Sequence, residues 1–206
     1  MILTAKQEDA LKELINIGIG RASGILNGMI QAHVTMYVPT IRVLTPELLV
    51  KELGTTKLSS VKLDFNGPIN GTAALIFSST ESSRLVDAIL GIKSMVPDLD
   101  EMKIGVLTEV GNIILNGVMG SIGNIIKLHI SYSIPNYSED IIKNILTIGT
   151  SSIESIILLV EARFTVEKYK LDGKVIIIFE LTSFDKLINL IDLYSSGCKD
   201  EHNRDH

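Results

Sequence analysis

Leu11, Leu14, Ile15, Ile19 and Ala22 fall at the three-and-four spacing of one helical face. Thr4-x-x-Gln7 in front of that run is a capping box, so a long helix is predicted from about residue 5 to residue 29. Gly18, Gly20, Gly24 and Gly28 each lower its intrinsic propensity by about 1 kcal/mol against Ala, so tertiary packing must compensate. Small residues at 20, 24 and 28 would also let another element approach closely. Residues 33–38 (HVTMYV) switch to β-branched alternation and predict a strand that ends at Pro39. Residues 40–57 give no clear pattern. Residues 61–65 and 72–77 then read as a hairpin with Asn70-Gly71 as its turn, and Ser79 or Thr80 caps a short helix through residue 89 that Gly91 closes.

The second half repeats this order. Asp98-x-x-Glu101 caps a helix to about residue 126, and residues 129–134 form a strand ended by Pro135. Residues 156–166 and 174–181 form a hairpin about Asp172-Gly173, and Thr182 or Ser183 caps a last helix to about residue 194. The repeats span about 4–91 and 98–194, joined by 92–98 and followed by a polar tail at 197–206. Two helix–strand–hairpin–helix units most economically pair their strands into one antiparallel or mixed sheet, with the two long helices packed together on it. The expected fold is a single α+β domain with pseudo-two-fold symmetry.

What the repeat keeps is polar. Glu13-x-x-Asn16, 22 residues and Pro39 recur 96 positions later as Glu109-x-x-Asn112, 22 residues and Pro135. The same offset aligns Gly24 with Gly120, Ile30 with Ile126 and His33 with His129. A single Glu-x-x-Asn on a wet helix face is ordinary surface; the full spacing found twice is not. Asp9, Glu13 and Asn16 lie at i, i+4 and i+7, one stripe away from the apolar face, where they can be presented to a large partner. A carboxylate can pair with a partner's cation, and a carboxamide donates and accepts at once, so it can hold a water. Asn does not titrate and an exposed Glu is a weak base at neutral pH, so the pair suits positioning a nucleophilic water better than activating one. Phosphoryl transfer is the reaction class in which positioning and electrostatics do most of the catalysis.

Asp9-x3-Glu13-x2-Asn16-x22-Pro39 resembles the signature of the CheC/CheX/FliY family of chemotaxis phosphatases, (Asp or Ser)-x3-Glu-x2-Asn-x22-Pro. The similarity covers essentially the whole chain, and two motif copies without an added domain resemble the CheC branch of that family. The resemblance implies hydrolysis of the aspartyl phosphate on the response regulator CheY. Glu13 or Glu109 would pair with the regulator's active-site lysine, and Asn16 or Asn112 would orient a water for in-line attack on phosphorus. It implies no metal or cofactor of the protein's own, the Mg²⁺ being held by phosphorylated CheY. The second copy departs from the pattern at Gly105, where the family has Asp or Ser. Pro39 and Pro135 belong to the motif as structural residues that end strands. The resemblance also implies binding to CheD, a receptor-modifying deamidase. The alternative reading is therefore a non-enzymatic adaptor that acts by binding CheD or a flagellar-switch component.

Composition narrows the remaining classes. The chain has 206 residues, 46% hydrophobic and 21% charged, with no Trp, so an ample core of Ile, Leu and Val is expected. A net charge of −5 without a Lys/Arg cluster argues against a nucleic-acid partner. The single Cys198 cannot form an internal disulfide, which fits a reducing cytoplasm. Segments 22–41 and 110–126 lack charges, but Gly and Asn interrupt both, so buried helix followed by strand is expected rather than membrane insertion. The first twelve residues carry acidic side chains where a signal peptide needs apolar ones, so a cytoplasmic protein is expected. Internal duplication supplies the symmetry that a single-motif relative gains by dimerising, so a monomer is expected. Gly18-x-Gly20-x3-Gly24 lies inside a helix with no strand before it and is no dinucleotide loop. His33 and His129 have no second ligand nearby in sequence, and residues 78–83 show no nucleophile elbow.

Overall fold

The computed structural model describes residues 3–29, 33–92, 99–125, 127, 129–147, 155–166 and 169–201. Its first half runs α1 (Ala5–Met29), β1 (Val34–Leu44), α2 (Pro46–Leu53), β2 (Lys57–Asn66), β3 (Gly71–Ser78) and α3 (Ser79–Leu90). The second half runs α4 (Glu101–Ile125), β4 (Ser131–Tyr132), β5 (Asn136–Ile141), α5 (Ile142–Thr147), β6 (Ser155–Val166), β7 (Tyr169–Glu180) and α6 (Leu181–Glu201). All strand pairings are antiparallel, in the order β1-β6-β7-β3-β2, with β4 and β5 both on the free side of β2. The fold is therefore α+β, built from a duplicated unit around one antiparallel sheet.

Strand alternation divides the apolar residues between two faces. From β6, Leu158, Val160, Ala162, Phe164 and Val166 enter the larger core with α1, α3, α4 and α6. Ile157 and Leu159 enter a smaller core with Leu49 of α2 and Ile142, Ile145 and Leu146 of α5. Both faces of the central strands are dry, which is why β3 and β7 read as near-continuous apolar runs.

α1 begins as the capping box specifies: Thr4 N–H donates to Gln7 Oε1 at 2.9 Å and Gln7 N–H to Thr4 Oγ1 at 3.3 Å. α1 and α4 pack as a pair and touch at Gly18 and Gly117. A methyl group on Gly18 would lie 2.5 Å from the Gly117 carbonyl oxygen, and one on Gly117 would lie 2.7 Å from the Gly18 oxygen. The close approach is thus not at Gly20, Gly24 or Gly28, which sit on the solvent side with open space around them. Among the described residues α4 alone is long and apolar enough to cross a bilayer, but half of that stretch is buried inside the protein, as in a core helix.

Several boundaries differ from the sequence expectations. β1 does not end at Pro39 but continues to Leu44, with a register break between Tyr37 and Thr40; as an edge strand it tolerates the missing N–H. Residues 40–57 supply the rest of that strand and α2, whose Leu48 N–H donates to the Thr45 cap at 3.4 Å. Ser78, rather than Ser79 or Thr80, caps α3, accepting from Glu81 N–H at 3.2 Å. Asp100 caps α4 by accepting from Lys103 N–H at 2.9 Å; Asp98 lies outside the described residues. The strand expected at 129–134 shrinks to two residues, because the chain beyond Pro135 takes the edge of β2 instead. Asp172 and Gly173 do not form the turn of this hairpin but lie within β7, paired with Arg163 and Ala162 of β6. Gly173 is there for space: a methyl group would meet the Phe77 and Phe164 rings at 2.4 and 2.7 Å. α6 starts at Leu181, before Thr182 and Ser183, and runs into the expected tail as far as Glu201. The buried Ser183 hydroxyl instead accepts Asn70 N–H at 3.0 Å.

Candidate functional site

Burying Leu11, Leu14, Ile15 and Gly18 turns the opposite face of α1 to solvent. Asp9, Glu13 and Asn16 all stand exposed on it. Among the described residues no hydrogen bond engages the Glu13 carboxylate or the Asn16 carboxamide. The spacing to proline has a physical basis here. Lys12 Nζ donates to the Pro39 carbonyl oxygen at 3.2 Å, tying β1 to the helical turn that carries Glu13. Farther along, Ser23 Oγ and Asn27 Nδ2 donate to the Val34 carbonyl at 2.8 and 2.9 Å, and Val34 N–H donates back to Asn27 Oδ1 at 2.6 Å. Sequence reasoning missed these supports, although polar Ser23 and Asn27 inside a charge-free stretch were a signal that backbone groups needed partners.

The second site stands on α4. Glu109 is exposed, whereas Asn112 is half-buried. Asn116 Nδ2 donates to Asn112 Oδ1 at 2.5 Å, one turn along the same helix. Thr108, the counterpart of Lys12, donates its Oγ1 to the Ile104 carbonyl at 2.7 Å and is folded onto its own helix. Gly105, in place of Asp9, is exposed with open space around it. Pro135 lies between β4 and β5. Beside Asn112 runs a shallow groove of about 340 Å³, in which Arg21 and Ile25 of α1 face Asn112, Asn116, Ser121 and Asn124 of α4.

Each Glu/Asn pair is thus one turn apart on a helix surface, and the two helices that carry the pairs are packed on each other. A reactant that engages both members of a pair must bring its own surface to the helix. Among the described residues no group of three or more His, Cys, Asp or Glu is placed to hold a metal ion, and His33 and His129 are both exposed.

Fold and site together define an internally duplicated α+β protein that carries one Glu/Asn pair on each of two packed helices. No family model matches the chain. It is 24% identical over 156 residues to the CheY-P phosphatase CheC of Bacillus subtilis (strain 168), covering 73% of this chain and 75% of the relative. Its fold is similar to that of Thermotoga maritima FliY, with a TM-score of 0.76 at 18% identity over 96% of this chain and 99% of the other. It is also similar to a chain of the FliG–FliM complex from H. pylori, with a TM-score of 0.67 at 10% identity over 91% and 100%. These findings support the CheC/CheX/FliY family of chemotaxis proteins.

Proposed function

We propose that the protein accelerates hydrolysis of the aspartyl phosphate on the response regulator CheY. The observation that carries this reading is the exposed, unengaged Glu13/Asn16 pair on α1, whose residue types and spacing recur as Glu109/Asn112 on α4. The phosphatase name of the B. subtilis relative agrees with it. In this reading the helix docks over the regulator's phosphorylation site, and the Glu carboxylate pairs with a lysine there. The Asn carboxamide enters the site and orients a water in line with the scissile bond. The water oxygen bonds to phosphorus, the phosphorus–oxygen bond to aspartate breaks, and the water's proton leaves with inorganic phosphate or solvent. Mg²⁺ in the regulator's own site neutralises phosphate charge, so this chain's contribution is position and electrostatics.

Phosphate release from CheY-P, with Mg²⁺ and with wild-type protein, Asn16→Ala, Asn112→Ala and the double variant, tests the reading. Loss of a preorganised polar group in a transition state costs about 10²–10³-fold, so the double variant falls at least about a hundredfold. Full activity without either Asn would overturn the roles.

A second reading is an adaptor: the likeness to a chain of the FliG–FliM complex favours binding to a flagellar-switch component, and the sequence resemblance alone implies CheD as the other partner. A CheD pull-down and co-sedimentation with basal bodies by the double variant, with no phosphate release by wild-type protein, would support it.

A further inference from the structure

We infer that the two sites are unequal, and that Asn116 is a positioning residue that holds the Asn112 carboxamide back at the second site. The inference rests on the phosphatase reading above and deepens it.

The repeat offset of 96 sets the comparison position by position. One turn beyond Asn16 stands Gly20, with no side chain and open space around it. One turn beyond Asn112 stands Asn116, which donates to Asn112 Oδ1. A carboxamide that orients a water uses its carbonyl oxygen to accept one of the water's protons. At the second site that oxygen already serves a neighbour on the same helix, and the bond draws the group along α4 rather than outward. Burial agrees, since Asn112 is half-covered at the groove it shares with Arg21 and Asn124, while Asn16 is exposed. The surroundings differ in the same sense. Lys12 ties Pro39 to the first site, whereas Thr108 spends its hydroxyl on Ile104, and Gly105 stands where the first site has Asp9.

To reach into a partner's active site, Asn112 must first release Asn116. The first site meets no such cost. Asn116→Ala removes the donor without disturbing the helix, since Ala has the higher helix propensity.

The experiment is phosphate release from CheY-P in an Asn16→Ala background, with and without Asn116→Ala. Asn16→Ala should lower the wild-type rate more than Asn112→Ala does. Adding Asn116→Ala to Asn16→Ala should recover about threefold to tenfold, the worth of one hydrogen bond. No recovery, or a further fall, would overturn the inference, because Asn116 would then be idle or would help Asn112. A second readout does not involve catalysis. In ¹⁵N spectra the Asn116 side-chain amide pair should shift when Asn112 becomes Ala, and an unmoved pair would show that no bond joins them. If that bond is present but wild-type protein releases no phosphate, the clasp stands and the phosphatase reading fails.

Discussion

Gly18 and Gly117 face each other where α1 meets α4, each placing its carbonyl oxygen where the other's side chain would begin. The obstructing atoms are backbone, so a side chain at either position must push the helices apart. Gly18→Ala should therefore destabilise the protein by about 1–3 kcal/mol. Gly24→Ala, in open space, should stabilise it by up to about 1 kcal/mol. Urea denaturation of both variants checks this, and equal effects of the two would refute the crossing.

Lys103 and Asp87 join α4 to α3 through a largely buried ion pair at 3.0 Å. Removing one partner deprives the other's buried charge of this pairing. Asp87→Ala should cost on the order of 3 kcal/mol, and replacing both partners by apolar residues of similar volume should cost less than that. A loss well under 1 kcal/mol for the single variant would mean that water replaces the pair freely.

The amino group of Lys62, buried on β2, has no hydrogen-bond partner among the described residues. Burial lowers its pKa below the ordinary 10.5, with Asp64 and Asp140 opposing the shift. Between the folded and unfolded values the unfolded chain holds more protons, so this residue's contribution to stability rises with pH across that window. Below it the cost of burying the charge is fully present. Lys62→Met should therefore stabilise the protein at pH 7, by about 1–2 kcal/mol, with a smaller gain as pH approaches 10.5. Thermal melts of both proteins at pH 7 and pH 10 decide it; a gain that grows with pH would contradict the account.

On the phosphatase reading, Glu13→Gln removes a charge but keeps the shape of the side chain. Affinity for beryllofluoride-activated CheY should fall on the order of tenfold, and the loss should shrink at high salt. Unchanged affinity in titration calorimetry would remove the carboxylate from the docking surface.

α1 was legible to the residue because three signals coincided there: the capping box, the apolar period and the exposed stripe. Fold class followed from the repeat. The strand after α4 was not legible, since apolar alternation at 129–134 says nothing of which edge is free, and β2 recruited residues 136–141 instead. Asp172-Gly173 misled for a related reason. That dipeptide is turn chemistry locally, but its glycine serves the Phe77 and Phe164 rings, which come from other strands. Spacing singled out the candidate pairs Glu13/Asn16 and Glu109/Asn112, yet the Asn112–Asn116 bond had no sequence signature beyond an Asn one turn away.

The motif's first proline has a consequence outside the reaction. β1 is the outer rail of the sheet, and an outer rail invites another chain to dock along it and grow a fibre. Pro39 interrupts that rail at its register break, and Lys12 clamps the same residue to α1. A variant that replaces Pro39 with a β-former would keep its Glu and Asn and still be the version of this protein most prone to polymerise.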